Sequence, residues 1–370
     1  MKLNCDREKL LQAFQTAAGV ASAKSPKQVL QNVKLDAKAD RVTLMATDLE
    51  VGIRMDVTGV TVEVPGTVLL PVGQTGKILR EISDETLRIE SDGTKTDITS
   101  ARSDFHLPSA NPDEFPDIAE FQAERFHQVS ARFFRELVRR TAFATDPESS
   151  RYALGGVLIE LTAEQINGVA TDGRRLAQQS GPAKSVGGHS TRDNTIVPTR
   201  AMNLLERALA DSEDEIQIAA RDNDVLVRSQ RATVYTRLVE GRYPKWRDVF
   251  PRRDQMTAIE LSVGPFYSAV RQAQIVTSDD HRGVDFTFAD GKARLVARGA
   301  EFGDANVEHP IAYDGPELAV TLDPRFVGDF LRVLDPATTF TLLIRNAESP
   351  VVAVTDDAYS YVIMPLAREQ

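Results

Sequence analysis

Residues 197–209 read VPTRAMNLLERAL, and this stretch decides the fold because its outline occurs twice more in the chain. Each occurrence has an apolar residue and a turn residue, followed by an apolar helical run with one arginine. The other two are Leu70-Pro71 before residues 77–82, and Leu322-Asp323 before residues 329–334. The arginines of the three runs, Arg80, Arg207 and Arg332, are 127 and 125 residues apart. Spacings of this length are too long for solenoid repeats and match whole domains.

Other landmarks keep nearly the same spacing. The turns Thr47-Asp48-Leu49 and Thr171-Asp172-Gly173 lie 124 residues apart, and each follows an apolar run typical of a buried strand. Alternating strand patterns, 130 and 126 residues apart, cover residues 105–108, 235–238 and 361–364. Chance coincidence is the alternative, but the agreement of these landmarks in order and spacing favours a triplicated unit.

Amphipathic helices open each unit, and we predict them over residues 7–18, 131–143 and 265–276. The second has an apolar face at helical spacing, formed by Phe134, Leu137, Val138 and Thr141. Short alternating strands with turns such as Asp92-Gly93 and Asp290-Gly291 indicate antiparallel sheets.

The predicted fold class is therefore α+β, with three similar domains that each place two helices on one face of an antiparallel sheet. We expect the domains to cover residues 1–125, 126–254 and 255–370. Charged or proline-bearing linkers fit near residues 120–125 and 251–255.

The composition is that of a soluble globular protein with several domain cores. The chain has 370 residues, 42% of them hydrophobic, and no apolar run approaches the length of a membrane span. Residues 1–7 lack the pattern of a secretory signal, and the single cysteine, Cys5, cannot form an intrachain disulfide. These features predict a cytoplasmic protein with no membrane partner.

The formal net charge of −10 argues against binding nucleic acid through many phosphate contacts. A protein held on DNA by enclosure needs little affinity, so a small basic surface would suffice. Basic residues do recur on one face of each predicted second helix: Lys77 and Arg80, Arg200 and Arg207, Arg325 and Arg332. In the first helix of the middle unit, three arginines lie at similar spacing: Arg132, Arg135 and Arg139. Either these are ordinary solvated faces, or equivalent helices present arginine to DNA phosphates.

No constellation of residues indicates catalysis. The five histidines are scattered without metal-ligand spacing, and the chain has no Walker loop, no dinucleotide fingerprint and no nucleophile elbow. Asp172 beside Arg174 and Arg175 could suggest phosphate chemistry, but an Asp-Gly turn after a strand more often uses its carboxylate to accept backbone N–H bonds. We predict no enzyme activity, no metal and no cofactor.

Residues 170–177, ATDGRRLA, resemble the central signature of the bacterial DNA polymerase III beta subunit family. Supporting motifs occur in order along the whole chain: ATDLE at 46–50, FPD at 115–117, VEGRYP at 239–244, HRGV at 281–284 and YVIMPL at 361–366. The resemblance implies a sliding clamp, a processivity factor for DNA replication. In this fold, two three-domain protomers join head to tail in a ring, with helices inside and sheets outside. A clamp loader uses ATP to open the ring; the other implied partners are duplex DNA, bound without sequence preference, and polymerases.

The resemblance also implies an apolar groove that binds short linear peptides of polymerases, the clamp loader and repair proteins. Twelve positions match it here: Leu154, Thr171, Gly173, Arg174, Arg175, Leu176, Pro244, Val249, Val362, Met364, Pro365 and Leu366. Arg175 is expected to orient carbonyl or acidic groups of the peptide. Ordinary strand burial is the alternative explanation for Val362 and Met364.

Two further surfaces follow from the resemblance and the arginine pattern. Residues predicted to face DNA are Lys24, Arg80, Arg135, Arg139, Tyr152, Arg200, Arg207 and Arg332. At the dimer interface, Phe105 and Leu107 of one protomer are expected to pack on Ile275 and Val276 of the other. Arg102 would face Glu301 or Asp304 at the rim.

The sequence departs from the family pattern at Arg174, Asp248 and Phe326, where histidine, a basic residue and tyrosine are common. Ala153 replaces a frequent aromatic residue, and residues 367–370 also differ. These changes leave the preferred peptide motif open. The alternative function is a clamp-fold platform for protein interactions outside replication; an unrelated three-domain hydrolase lacks every expected catalytic motif.

Overall fold

The computed structural model describes residues 1–21, 25–148, 152–191, 194–210, 213–251, 255–299 and 302–367. Within this described part there are six α-helices: α1 Arg7–Ala18, α2 Val72–Glu81, α3 Ala131–Thr141, α4 Thr199–Ala208, α5 Val263–Gln274 and α6 Pro324–Arg332. Two helices therefore fall in each third of the chain, as the repeat predicts. None of these helices has the length and apolar character that crossing a membrane would need.

Short β-strands precede, separate and follow the helices in the residues that the structure describes. Those up to α3 are β1 Lys2–Asp6, β2 Asn32–Ala37, β3 Val42–Thr47, β4 Val51–Val57, β5 Val60–Val64, β6 Gly66–Pro71, β7 Thr86–Ser91, β8 Lys95–Thr99, β9 Asp104–Pro108 and β10 Phe126–Ser130. Those between α3 and α5 are β11 Gly156–Leu161, β12 Gln165–Thr171, β13 Arg175–Pro182, β14 Lys184–Val186, β15 Ile196–Pro198, β16 Glu215–Ala220, β17 Asp224–Arg228, β18 Ala232–Arg237 and β19 Thr257–Ser262. The last are β20 Val284–Ala289, β21 Lys292–Gly299, β22 Gly303–Pro310, β23 Leu318–Leu322, β24 Thr339–Ile344, β25 Val351–Val354 and β26 Tyr359–Ile363.

The helices form where the apolar spacing predicts them. Helix α1 has the predicted bounds; Asp6 caps it by accepting a hydrogen bond from the backbone N–H of Lys9, at 3.0 Å. Helix α3 ends two residues before the predicted boundary, because the chain tightens into a 3-10 turn at Ala142–Ala144. Helix α5 begins two residues earlier than predicted, at Val263.

Burial confirms which helix faces pack inward. In α3 the predicted apolar face is buried, with Phe134 only 2% exposed. Leu205 of α4 and Phe330 of α6 are each 1% exposed, while Arg207 and Arg332 lie on the exposed side of the same helices.

The two Thr-Asp turns have the same hydrogen bonds. Thr47 and Thr171 each donate their hydroxyl to the carbonyl oxygen four residues later, at 2.8 and 2.6 Å. Asp48 and Asp172 each accept backbone N–H bonds from the residues two and three positions on. The carboxylate of Asp172 therefore stabilises a turn, as predicted.

One compact unit comprises residues 1–135, 161–164 and 183–238. It contains a five-stranded sheet in the order β5-β1-β7-β8-β9 and a nine-stranded sheet in the order β14-β10-β16-β17-β18-β4-β3-β2-β6. Neighbouring strands in both sheets pair antiparallel, and β18 joins β4 with Val234 opposite Ile53. Helix α1 packs against α2 and α4.

A second compact unit comprises residues 136–160, 165–182 and 239–370. Its strands follow one another in the order β11-β12-β13-β26-β25-β24-β19, and a four-stranded sheet has the order β22-β21-β20-β23. Strands β13 and β26 pair antiparallel, with Leu176 opposite Val362. Helix α5 packs on α6, and Phe330 of α6 stacks on Tyr359 and Tyr361, with ring centroids 5.5 and 5.2 Å apart.

The units cut across the predicted domains, because both contain parts of residues 126–254. The pairs β4–β18 and β13–β26 explain this division: each joins strands of two neighbouring predicted domains into one sheet. The boundaries proposed after residues 125 and 254 stay predictions.

Candidate functional site

The second unit contains an open cavity of about 760 Å³. Its lining residues are Ala153, Leu154, Thr171, Gly173, Arg174, Arg175, Leu176, Glu240, Gly241, Arg242, Pro244, Trp246, Asp248, Val249, Pro350, Val362 and Met364. The fold thus brings together ten of the twelve predicted groove residues. Pro365 and Leu366 are not among them, and the backbone of Leu366 instead donates to Thr321, at 2.9 Å. We call this cavity the groove.

The floor of the groove is apolar and comes from adjacent strands. Leu176 and Val362, paired across β13 and β26, are 2% and 1% exposed. Met364 and Val249 protrude further, at 40% and 38% exposed. Strand burial therefore accounts for most of the surface of Val362, whereas Met364 offers a flexible apolar contact to a ligand.

Segment 239–250 forms another wall of the groove and is anchored by three contacts, of which the hydrogen bond of Tyr243 is buried. The Tyr243 hydroxyl donates to the carbonyl oxygen of Val169 at 3.0 Å, and burial raises the pKa of this phenol. Gly241 has φ of 129°, a conformation that favours glycine, and lies beside Ala153. Arg247 forms a bidentate pair with Glu160, at 3.0 and 2.9 Å. These contacts hold the wall against β11 and β12.

Several lining residues were missing from the sequence prediction. Glu240, Gly241 and Arg242 belong to the VEGRYP motif, so the motif itself was a usable signal. Trp246 follows two residues after it, whereas nothing local in the sequence marks Pro350.

The guanidinium group of Arg175, which is predicted to orient carbonyl or acidic groups of a peptide, has several partners within the chain. It donates to Asp172 at 3.0 Å, to Asp329 at 2.6 Å and to the carbonyl oxygen of Phe143 at 2.8 Å. It also lies 4.5 Å from the ring centroid of Phe326, and its side chain is 10% exposed.

Electrostatics keep Arg175 charged. Burial alone would lower its pKa, but the interaction with Tyr361 and the hydrogen bond to Asp329 outweigh burial and raise it. Arg175 is therefore a charged part of the groove wall, and its role towards a peptide stays a prediction.

The rim of the groove carries four exposed charges: Arg174, Glu240, Arg242 and Asp248. Within the described residues, no ion pair joins Arg174 to Asp248. These side chains can therefore meet charges of a ligand at little desolvation cost.

The arginines predicted to face DNA are mostly exposed, but their guanidinium groups have partners. Arg80 and Arg207 donate to backbone carbonyls one turn earlier in their helices, at 2.9 and 3.3 Å. Four others pair with carboxylates: Arg135 with Glu213 at 3.6 Å, Arg139 with Glu136 at 4.0 Å, Arg200 with Asp48, and Arg332 with Asp329 at 3.0 Å. Lys24 and the side chain of Tyr152 lie outside the described residues. Paired arginines present less positive potential, so contacts with phosphate would be weak.

Two of the residues predicted at the dimer interface lie on an edge strand, and two others follow a helix. Strand β9, with half-buried Phe105 and Leu107, is an edge strand of the five-stranded sheet. Ile275, just beyond α5, is 76% exposed, and Val276 beside it is half-buried.

At the predicted rim of the dimer interface, Arg102 donates hydrogen bonds to Asp84 in its own unit, at 2.9 and 3.2 Å. Of its two predicted partners, Glu301 lies outside the described residues, and Asp304 lies exposed on β22. Among the residues that are described, no group of three or more His, Cys, Asp or Glu side chains could hold a metal ion.

Comparisons with known proteins cover the whole chain. Models of the DNA polymerase III beta subunit match in order: the N-terminal domain at residues 1–119, the central domain at 128–245 and the C-terminal domain at 247–367. The beta sliding clamps of Pseudomonas aeruginosa and Escherichia coli are 27% and 26% identical, over 99% of this chain and 100% of each relative. The crystal structure of the Pseudomonas aeruginosa beta subunit superposes with a TM-score of 0.87 at 25% identity, and the Bacillus subtilis sliding clamp with 0.89 at 22%, each over 100% of both chains.

Proposed function

Because the chain belongs to the DNA polymerase III beta subunit family, we propose that it is a DNA sliding clamp that gives a replicative polymerase its processivity. The proposal depends most on one recurring feature. Helices α2, α4 and α6 each carry an exposed arginine in the last turn, at the spacing of the triplicated unit: Arg80, Arg207 and Arg332.

Enclosure explains how an acidic protein can stay on DNA. Two copies joined head to tail would form a ring that holds duplex DNA topologically, so tight phosphate contacts are not required. Arginines partly neutralised by Asp48 and Asp329 suit weak, sequence-independent contact that permits sliding. The formal net charge of −10 is compatible with this mode of retention.

The same proposal assigns the groove to short linear peptides of polymerases, the clamp loader and repair proteins. Leu176, Val362 and Met364 supply apolar contact area, and the charged rim supplies orientation. The chain itself would catalyse no reaction; an ATP-dependent clamp loader would open the ring.

The dimer would form where β9 meets the partner. An unpaired edge strand can accept a neighbouring strand, and Phe105 and Leu107 would then pack on Ile275 and Val276 of the other protomer. Burial of the exposed Ile275 side chain would contribute to the stability of this interface.

Retention on plasmid DNA tests the proposal. After loading onto a nicked circular plasmid, the protein should stay bound through gel filtration and dissociate when the plasmid is linearised. The Arg207→Glu/Arg332→Glu double variant should load poorly, because both exposed arginines are reversed in charge. Equal retention on circular and linear DNA, or no retention on either, would favour the alternative of an interaction platform outside replication.

A further inference from the structure

Asp329 of α6 forms ion pairs with two arginines, one mostly buried and one exposed, through separate carboxylate oxygens. Oδ2 lies 2.6 Å from Nη1 of Arg175, and Oδ1 lies 3.0 Å from Nη2 of Arg332. Arg175 lines the groove and is 10% exposed, whereas Arg332 is 60% exposed. One carboxylate thus connects the groove wall to the exposed face of α6.

Arg175 transmits this connection because it joins three parts of the second unit. It binds the turn at Asp172, lies against the ring of Phe326 in α6, and approaches the Tyr361 hydroxyl of β26 at 3.4 Å. The Tyr361 hydroxyl in turn donates to the carbonyl oxygen of Phe326, at 3.2 Å. The position of Arg175 therefore sets how β13 and α6 meet beside the groove.

We propose that Asp329 couples the groove to the exposed face of α6: an anion that draws Arg332 away commits Asp329 to Arg175 and tightens the groove's hold on its ligand. The inference rests on the proposed function only in naming the ligand as a peptide and the anion as a DNA phosphate. Asp329 does not line the groove, so it is a positioning residue that acts through Arg175.

The direction follows from the sharing of one carboxylate charge by two arginines, which Asp329 binds through separate oxygens. While Arg332 is bound, an ion pair between residues three apart in α6 takes up part of the negative charge of Asp329. Once Arg332 leaves, Arg175 is the remaining ion-pair partner of Asp329. The stronger ion pair then restrains the part of the groove wall that Arg175 forms. A preorganised wall costs less to order on binding, so affinity rises. An exposed pair of this kind supports a change of about twofold, and linkage requires the coupling to be reciprocal.

The groove contains its own probe, because Trp246 is the single tryptophan of the chain and lines the cavity. Energy transfer from Trp246 to N-phenyl-1-naphthylamine, an uncharged dye, therefore reports dye bound in or near the groove. The Met364→Ala variant should weaken this signal and so establishes its origin. Neither DNA nor a partner peptide is present, so failure of this test is distinct from failure of the plasmid assay.

Arg332→Ala should lower the dissociation constant of the dye by about twofold, and Asp329→Asn should raise it. In the Asp329→Asn background, Arg332→Ala should have no further effect, since the shared carboxylate is gone. Arg325→Ala is the matched control: Arg325 lies on the same helix but pairs with Asp323 and Asp279.

Equal dissociation constants for Arg332→Ala and Arg325→Ala would overturn the proposal, as would an undiminished Arg332→Ala effect in the Asp329→Asn background. If Asp329→Asn fails to fold, the comparison of Arg332→Ala with Arg325→Ala decides alone.

Discussion

The Nδ1 atoms of His127 and His189 lie 2.7 Å apart, in a site where the two residues are 0% and 7% exposed. The backbone N–H of Ala220 donates to Nε2 of His189 at 3.0 Å, and Nε2 of His127 lies 2.6 Å from the carbonyl oxygen of Thr162. Nε2 of His189 also lies 3.1 Å from the carbonyl oxygen of Ala220, so the carbonyl oxygen of Thr162 decides the arrangement of protons. His189 donates from Nδ1 to Nδ1 of His127, which donates from Nε2 to Thr162, and both rings are neutral.

Acid should therefore destabilise the protein through this pair. Burial lowers the pKa of both imidazoles from the ordinary value of 6.5, and the carbonyl oxygen of Ala220, 3.1 Å from Nε2 of His189, offsets only part of this effect. Below 6.5 the unfolded state binds more protons than the folded state, so the free energy of unfolding falls as pH drops through the lowered pKa values. It is unaffected by this pair at higher pH. Urea unfolding at a series of pH values measures the effect.

A His127→Gln variant provides the control, because only one imidazole then remains at the site. Its free energy of unfolding should depend less steeply on pH in this window than that of the natural protein. Parallel pH profiles for the two proteins would contradict the assignment.

Sequence periodicity was sufficient to predict helices and strands, but it did not predict contacts between distant residues such as His127 and His189. The apolar spacing in residues 7–18 predicts α1 because neighbours within one helix are close in sequence. His127 and His189 are 62 residues apart and meet only after β10 has paired with β14 and β16. For that reason, the histidines looked scattered before the fold was known.

In the groove, too, local motifs could be predicted from the sequence, whereas long-range contacts could not. Its strand motifs were visible in the sequence, and ten predicted residues line it. The occupied state of Arg175 was not visible, because its partners Phe143, Asp329 and Tyr361 are 32, 154 and 186 residues away. Whether this groove binds peptides stays a prediction.

Gly173 is expected to be sensitive to substitution for reasons of backbone conformation alone. Its φ is 87°, and an added Cβ would have no atom within 4 Å. Gly173→Leu should lower the free energy of unfolding by about 1–2 kcal/mol, because a left-handed conformation is strained for leucine. Thermal and urea unfolding would measure the change.

Leu49 supplies the matched comparison, since it occupies the equivalent turn with φ of 80°. Leu49→Gly relieves that strain but adds chain entropy to the unfolded state, so the net change should stay below about 1 kcal/mol. A Gly173→Leu variant as stable as the natural protein would show that strain in this turn is negligible.

Met364 offers a clean test of the groove because it is 40% exposed. Met364→Ala should weaken peptide binding by about fivefold to tenfold, in line with about 1 kcal/mol for lost apolar contact, and leave stability nearly unchanged. Leu176→Ala is less suitable, since Leu176 is 2% exposed and its loss would cost about 2–5 kcal/mol of stability. Fluorescence anisotropy with a labelled linear peptide of the replicative polymerase measures the affinity.

Val64→Ala is the control for Met364, because Val64 is 49% exposed on β5 and does not line the groove. It should leave peptide affinity unchanged. If Met364→Ala behaves like Val64→Ala, the groove is wrongly assigned.

Ile275 should be decisive for self-association. A charge introduced by Ile275→Glu would be desolvated at the proposed interface, so the dimer should dissociate at least tenfold more readily. Sedimentation equilibrium measures the dissociation constant, and binding of a peptide to the groove should persist. A dimer as stable as that of the natural protein would place the interface elsewhere.

The pairing of β4 with β18 has a practical consequence for anyone who cuts this protein into pieces. A fragment that ends near residue 125 would lack β18, which pairs with β4. The backbone N–H and C=O groups of β4 that face residues 232–236 would then be free to pair with other chains. Such fragments should aggregate in solution. Truncated variants are therefore better designed around the shared sheets than around the threefold repeat.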